Sequence, residues 1–236
     1  MSALARYFHR IGMDVAGYDR TASPLTNALI EEGIEVSFDG HAQAIPDRFA
    51  QAAPHELLVI YTPAVPQRLE SLIYMREKGF EGLKRSEALS LILRGKKTYA
   101  VAGTHGKTTT TSLVAHLLNH GNHEATAFLG GIASNFNSNL VVSKSSEIAV
   151  VEADEYDRSF LRLEPEVAVI TSTEADHLDI YGDAKNLTEG FRQFADLLPK
   201  YGLLILREGI EMASVAPVWT YAVESKTATL TTKNLR

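Results

Sequence analysis

One stretch constrains the fold of this chain more than any other: "KKTYAVAGTHGKTTTT", residues 96–111. An apolar run of strand length leads into Gly103 and Gly106. Lys107 and four threonines follow, and then a stretch with helical spacing that runs to about Asn119. Strand, glycine turn, lysine, hydroxyl, helix is the order of a phosphate-binding loop. Glycines let backbone N–H groups close around phosphate oxygens without Cβ clashes. The helix that follows points its first N–H groups and the positive end of its dipole at the anion. In such a loop the lysine reaches the β- and γ-phosphates and the next hydroxyl binds Mg²⁺, which gives those parts to Lys107 and Thr108. The spacing here is G-x-x-G-K-T, shorter than the usual loop, with Val101 five residues before Gly106. The competing reading is an ordinary glycine turn that opens a helix. The flanking strand and helix favour the phosphate loop.

Around this loop the chain alternates strand and helix. "DVAGYD" and "IEVSFDG" read as short strands, each following a helix that stops at Gly12 or Gly33. The first helix carries Leu4, Phe8 and Ile11 at a 3.6-residue period. "ELLVIYT", residues 56–62, is a continuous apolar run, as expected of a parallel strand buried on both faces. Two helical stretches follow, "QRLESLIYMREKG" and "LKRSEALSLILRG". After the loop come the strands "EIAVVEAD", "EVAVITS" and "GLLIL", with a helix over "GFRQFADLLP"; the tail beyond Glu211 is less periodic. The pattern predicts an α/β protein with mainly parallel sheets in two units. Residues 1–95 read as a doubly wound, Rossmann-like domain and residues 96–236 as a P-loop ATPase-like domain. Doubly wound nucleotide-binding domains ordinarily open on a strand and a glycine-rich turn. This chain opens on a helix.

Composition excludes several classes. The net charge is −6, so no broad basic surface argues for nucleic acid. No apolar run approaches the ~18 residues of a membrane span. With no cysteine there is neither a disulfide framework nor a thiolate metal site. Met1 leads into a basic amphipathic stretch rather than a leader core, and the cytoplasm is the expected compartment. Nothing in the pattern specifies an oligomeric state.

Two strand ends are acidic. In "VVEADEYDRS", Glu152 and Asp154 alternate and so share a face. Mg²⁺ takes one or two carboxylates together with phosphate oxygens and water, and a strand end beside a phosphate loop is well placed to supply them. A solvated, charged turn is the competing reading. "STEADHLDIYG" carries Glu174, Asp176, His177 and Asp179 after another apolar strand. Mg²⁺ prefers hard oxygen donors, so chemistry alone ranks Asp176 and Asp179 above His177. Topology favours a site at all three segments, because open α/β sheets bind ligands beyond the carboxyl ends of their strands.

Together "GTHGKTTTT", "VEADEYDRSFLRL" and "TEADHLDIYG" resemble the Mur ligases, ATP-dependent amide-bond formers of peptidoglycan precursor synthesis. Within that family they look most like the branch that joins L-alanine to UDP-N-acetylmuramate. "MSALARYFHRIGMDVAGYDR", "VIYTPAVP", "KRSEAL" and "GGIASNFNSNL" extend the resemblance over essentially the whole chain. It implies that Gly103, Thr104, His105, Gly106, Lys107, Thr108 and Thr109 hold the ATP phosphates, with Lys107 on the γ-phosphate. It implies one Mg²⁺ on Thr108 and Glu152 and a second on Glu152 and His177, against the chemical preference for the aspartates. It gives catalytic parts to Lys107 and His177, and places Thr62, Ala64, Arg85, Asn135 and Asn139 near the UDP-sugar, "GGIASNFNSNL" forming a sugar-facing loop. The implied reaction passes through an acyl phosphate of UDP-N-acetylmuramate, which the amine of L-alanine attacks.

The resemblance also implies a strand and glycine-rich turn before Met1, and further segments after Arg236 that contact adenine and bind the amino acid. On that reading the chain alone makes no amide. Two other functions stay open: a recycling ligase that attaches a whole murein peptide to the same sugar nucleotide, and a non-catalytic nucleotide-binding module. Folylpolyglutamate synthetase shares the loop logic, but residues 1–94 argue against it.

Overall fold

The computed structural model describes residues 1–143, 145–174 and 183–232. The chain divides into two compact units, the first Met1–Leu91 and the second starting at Ile92. The proposed division at 95/96 followed the "RGKK" cluster instead.

In the first unit the elements are α1 (Ser2–Arg10), β1 (Ala16–Tyr18), α2 (Pro24–Glu31), β2 (Glu35–Ser37), α3 (Asp47–Ala50), β3 (Val59–Tyr61), α4 (Glu70–Glu77), β4 (Gly82–Lys84) and α5 (Arg85–Leu93), the last running into the second unit. Local chemistry explains α2 well. Ser23 caps it: the Thr26 N–H donates to Ser23 Oγ at 3.2 Å, and the Ser23 N–H donates back to Thr26 Oγ1 at 2.8 Å. Pro24 occupies the first turn, where its missing N–H costs nothing. The helix ends in a Schellman turn, Ile34 N–H to Leu29 O and Gly33 N–H to Ile30 O.

Three expectations for this unit need correcting. Helix α1 buries Ser2, Leu4 and Arg6, while Ile11 is exposed. Arg6 goes inward because its guanidinium meets the Glu32 carboxylate, with Nε at 2.8 Å and Nη2 at 2.7 Å from Oε1. A bidentate pair can offset the desolvation of the arginine, which a period count does not see. Of residues 56–62, only Val59–Tyr61 form a strand, half-buried, with Leu58 exposed. All three of its residues are only half-buried, so it is not buried on both faces, and it pairs with β4 in a two-stranded parallel sheet. Residues 82–84 are that partner strand rather than the start of a helix. The other parallel pair is β1–β2.

The second unit is built on one sheet: β5 (Lys97–Ala102), β6 (Ala125–Ala133), β7 (Ser138–Val141), β8 (Ile148–Glu152), β9 (Pro165–Ile170), β10 (Leu203–Arg207), β11 (Val218–Val223) and β12 (Leu230–Thr232). Among the described residues the order is β12-β11-β10-β9-β5-β8-β6-β7, parallel throughout except for the β6–β7 hairpin. That hairpin occupies "GGIASNFNSNL", which was expected as a loop. The aperiodic tail supplies β11 and β12. Helix α6 (Lys107–His120) packs on β5, β6 and β8 through Thr111 and Ala115. Helix α7 (Ala184–Ala195) packs on the 3₁₀ turn Tyr156–Arg162 that follows β8. There Phe160 stacks on Phe194 at 5.1 Å and meets Phe191 edge-on at 5.8 Å, all three buried. The central strands β5 and β8 thus end, side by side, at the edge where the glycine loop and the acidic run begin.

Candidate functional site

The loop between β5 and α6 is shaped by two glycines. Gly103 has φ +133°, and a Cβ there would strike Thr171 Oγ1 and lie 2.8 Å from the Ser172 backbone nitrogen. Gly106 caps α6 at φ +80°, a left-handed conformation that turns the chain into the helix. The segment after β9 braces the loop from behind. Thr104 N–H donates to Ser172 O at 3.1 Å, the Thr104 and Ser172 hydroxyls pair at 2.8 Å, and the Thr171 hydroxyl donates to His105 O at 2.5 Å. Thr104 is therefore buried and turned away from solvent. His105 is exposed, with Nε2 3.7 Å from Glu174 Oε2. Thr109 is exposed on the first turn of α6, and Thr108 is half-buried beside it.

Lys107 folds back over the loop. Its ammonium donates to Gly103 O at 2.7 Å and to Glu155 Oε1 at 2.8 Å. The Glu155 side chain is fully buried and that of Lys107 is 13% exposed. Sequence reading missed Glu155: one more acid in an acidic run reads as solvated, and only the fold shows the chain turning inward after Ala153. It also missed Thr171 and Ser172, whose signal is two hydroxyls directly after a buried strand.

Glu152 ends β8, and its Oε2 accepts the Gly130 N–H at 2.8 Å. The next glycine, Gly131, faces Thr108: a Cβ there would lie 3.8 Å from Thr108 Cγ2. Thr108 and Glu152 thus flank one Gly130–Gly131 step of β6. The Thr108 hydroxyl and the Glu152 carboxylate are oxygen donors, the kind that suits Mg²⁺. Asp154 accepts the Tyr156 N–H at 3.1 Å, within the turn that leads to Phe160. Asp176, His177 and Asp179 lie outside the described residues.

Beside the loop is an open cleft of about 300 Å³. Its lining includes His105, Gly106 and Thr110 from the loop and α6, Thr171, Ser172 and Glu174 from the segment after β9, and Arg207 and Tyr221, neighbours across β10 and β11. Burial pushes the Tyr221 phenol above its ordinary pKa, and the Arg207 charge pulls it partly back.

The residues expected at a sugar nucleotide are drawn from both units. Asn135 is exposed in the β6–β7 turn, its Nδ2 3.3 Å from His116 Nδ1, while Asn139 is buried on β7. Thr62, Ala64 and Arg85 belong to the first unit. The Thr62 carbonyl accepts the Val65 N–H at 3.1 Å, Ala64 is exposed in that turn, and Arg85 opens α5, close enough to the Met1 amine to help burial lower its pKa.

A largely parallel α/β sheet with a glycine loop at the end of a central strand, a lysine folded over it and a carboxylate on the neighbouring strand end is the architecture of the phosphate-loop α/β class. The particular family follows from comparison. Residues 101–236 match the family model of the Mur ligase middle domain, and residues 1–97 that of the Mur ligase family, catalytic domain. The chain belongs to the Mur ligase family. It is 46% identical over 232 residues to the UDP-N-acetylmuramate–L-alanine ligase of Porphyromonas gingivalis, covering 97% of this chain and 50% of that protein. To the ligase of the same name from Phocaeicola vulgatus it is 47% identical, covering 95% and 49%. Among solved structures it resembles the UDP-N-acetylmuramate-alanine ligase of Thermotoga maritima, with TM-score 0.81, 29% identity and coverage of 95% and 50%. It also resembles the UDP-N-acetylmuramate:L-alanyl-gamma-D-glutamyl-meso-diaminopimelate ligase from Neisseria meningitides, with TM-score 0.79, 25% identity and coverage of 94% and 74%. The chain spans about half the length of the curated relatives it matches.

Proposed function

We propose that this chain supplies the sugar-nucleotide and ATP-binding parts of a ligase that joins L-alanine to the lactyl carboxylate of UDP-N-acetylmuramate. What supports the reading is that Lys107 folds over the glycine loop that follows β5, and that Glu152 ends the neighbouring strand β8 opposite Val101. The choice of L-alanine and of the sugar nucleotide comes from the relatives, at 46–47% identity. The carboxylate attacks the γ-phosphorus of ATP and displaces ADP; the amine then attacks the carbonyl carbon of the acyl phosphate, and phosphate and a proton leave as the amide forms. No side-chain nucleophile is required. The loop N–H groups and the α6 N-terminus hold the phosphates, and Lys107 neutralises charge that develops on the γ-phosphate. Thr108 and Glu152 are the groups that would hold Mg²⁺, with His177 assigned by resemblance alone. Bound there, the ion supplies charge neutralisation and phosphate orientation. The cleft beside the loop has room for the nucleoside end of ATP. The expected compartment is the cytoplasm, where the sugar nucleotide and ATP are available; no helix among the described residues is long and apolar enough to cross a membrane.

The test uses the polypeptide that carries this chain, supplied with ATP, Mg²⁺, UDP-N-acetylmuramate and either L-alanine or the tripeptide L-alanyl-γ-D-glutamyl-meso-diaminopimelate. The expected product by mass spectrometry is UDP-N-acetylmuramoyl-L-alanine, absent in Lys107→Ala. Product from the tripeptide alone supports the recycling reading instead, to which the Neisseria structure lends its likeness. Nucleotide binding without either product leaves a binding module.

A further inference from the structure

We infer that Gly130 is a positioning residue for the Glu152 carboxylate, and that a side chain at position 130 weakens the Mg²⁺ response of nucleotide binding without unfolding the protein. The inference rests on the reading of Glu152 as a Mg²⁺ ligand. Strand β6 pairs with β8 in register up to Phe128 opposite Val151. On its other side the pairing with β7 is irregular between Phe128 and Ala133. Gly130 lies in that irregular stretch and donates its N–H to Glu152 Oε2 at 2.8 Å. One carboxylate oxygen is thereby fixed, and Oε1 is the oxygen left to a cation. Groups that orient a metal ligand matter almost as much as the ligand itself.

The glycine is needed for space as well as for its N–H. A Cβ at position 130 would fall on the Glu152 carboxylate, within contact of Oε1, Oε2 and Cδ together. That collision differs in kind from the one at Gly103, where a Cβ meets backbone nitrogen and φ is positive. At Gly130 the obstacle is the far end of a flexible side chain, so a methyl group displaces the carboxylate and spares the backbone. The neighbouring Gly131 is the natural control, since its Cβ would make only ordinary contact with Thr108 Cγ2 at 3.8 Å.

The experiment measures ATP affinity of the 236-residue chain by calorimetry across a Mg²⁺ titration and in EDTA, for wild type, Gly130→Ala, Gly131→Ala and Glu152→Gln, with a thermal melt of each. In Gly130→Ala the Mg²⁺ concentration for half-maximal enhancement should rise about 10-fold or more, as in Glu152→Gln, with affinity in EDTA unchanged. Gly131→Ala should behave as wild type. A crystal structure of Gly130→Ala should show the Glu152 carboxylate displaced. If Glu152→Gln loses the Mg²⁺ response and Gly130→Ala keeps it, the inference alone fails. A Mg²⁺ response intact in Glu152→Gln, or missing from wild type, overturns the underlying reading and the inference with it. Gly130→Ala that does not fold also overturns the inference, because the collision would then lie in the backbone.

Discussion

Lys107 and Glu155 form an ion pair almost out of water, at 13% and 0% side-chain exposure. Such a pair gains little over well-packed apolar groups, but removing one partner strands the other's charge. Lys107→Met should therefore lower the stability of the second unit by about 3–5 kcal/mol, and adding Glu155→Gln should restore a large part of it. Urea titrations of the two variants check this, and equal losses would show that the pair is not the source. Both variants should lose ATP affinity, since the loop lysine is absent from each. Gly103→Ala acts on the backbone: the positive φ and the collision with Thr171 and Ser172 should cost about 1–3 kcal/mol or more and lower the melting temperature. At the surface, Nδ1 of His41 lies 2.9 Å from Glu70 Oε2, and that carboxylate raises the imidazole pKa above 6.5. A raised folded-state value favours folding below the unfolded pKa, and the benefit fades as pH rises through the folded one. An NMR titration should place His41 above 6.5, and Glu70→Gln should bring it back toward that value.

The 3₁₀ turn Tyr156–Arg162 connects packing to chemistry, because Glu155 precedes it and Phe160 anchors it on α7. Phe160→Ala should cost about 3–5 kcal/mol by chemical denaturation. It should also weaken ATP binding, since the turn that aims Glu155 at Lys107 loses its anchor; unchanged affinity would separate the anchor from the site. The elements that sequence revealed best are those whose pattern has a single physical cause. Strands β5, β8 and β9 are apolar runs because a strand in the middle of a parallel sheet has both faces covered by the elements packed on the sheet, whereas β10 buries only Leu204 and Leu206 fully. Helices α2 and α6 are legible from Ser23, Pro24 and Gly106. The β6–β7 hairpin is not, because its glycines and asparagines are the residues of loops, and here they serve an irregular pairing. At the site the same limit applies. The loop is legible in "GTHGKT", whose residue types have few other uses together. Glu155 and Gly130 are not, because their parts depend on which strand lies beside which, and order along the chain does not encode that.

The two units differ in how much sheet each contains, and this leads to a prediction about the whole chain. In the first unit the strands β1, β2, β3 and β4 each span 3 residues and, among the described residues, pair two by two. None of their residues is buried, and isolated two-stranded sheets are marginal by themselves. The core of this unit is carried by helix and loop residues such as Leu4, Leu29, Ile34, Leu72 and Phe80. In the second unit Ala100, Val101, Ala149, Val150, Ala168 and Ile170 are at most 1% exposed, in strands with partners on both sides. Amides in β5, β8 and β9 can then exchange only when the sheet opens, whereas those of β1 to β4 have local openings available. A difference of about 3 kcal/mol between the two opening reactions is well within the stability of an ordinary domain and corresponds to about 100-fold in rate. Hydrogen exchange followed by mass spectrometry should accordingly show residues 97–102, 148–152 and 165–170 protected about 100-fold or more over residues 16–18, 35–37, 59–61 and 82–84. Adding ATP and Mg²⁺ should raise protection in the second unit around the loop and leave the first unit's strands as they were. Equal protection across both sets, falling together in denaturant, would mean that the chain unfolds as one cooperative body and that its short parallel pairs are held by more than their own ladders.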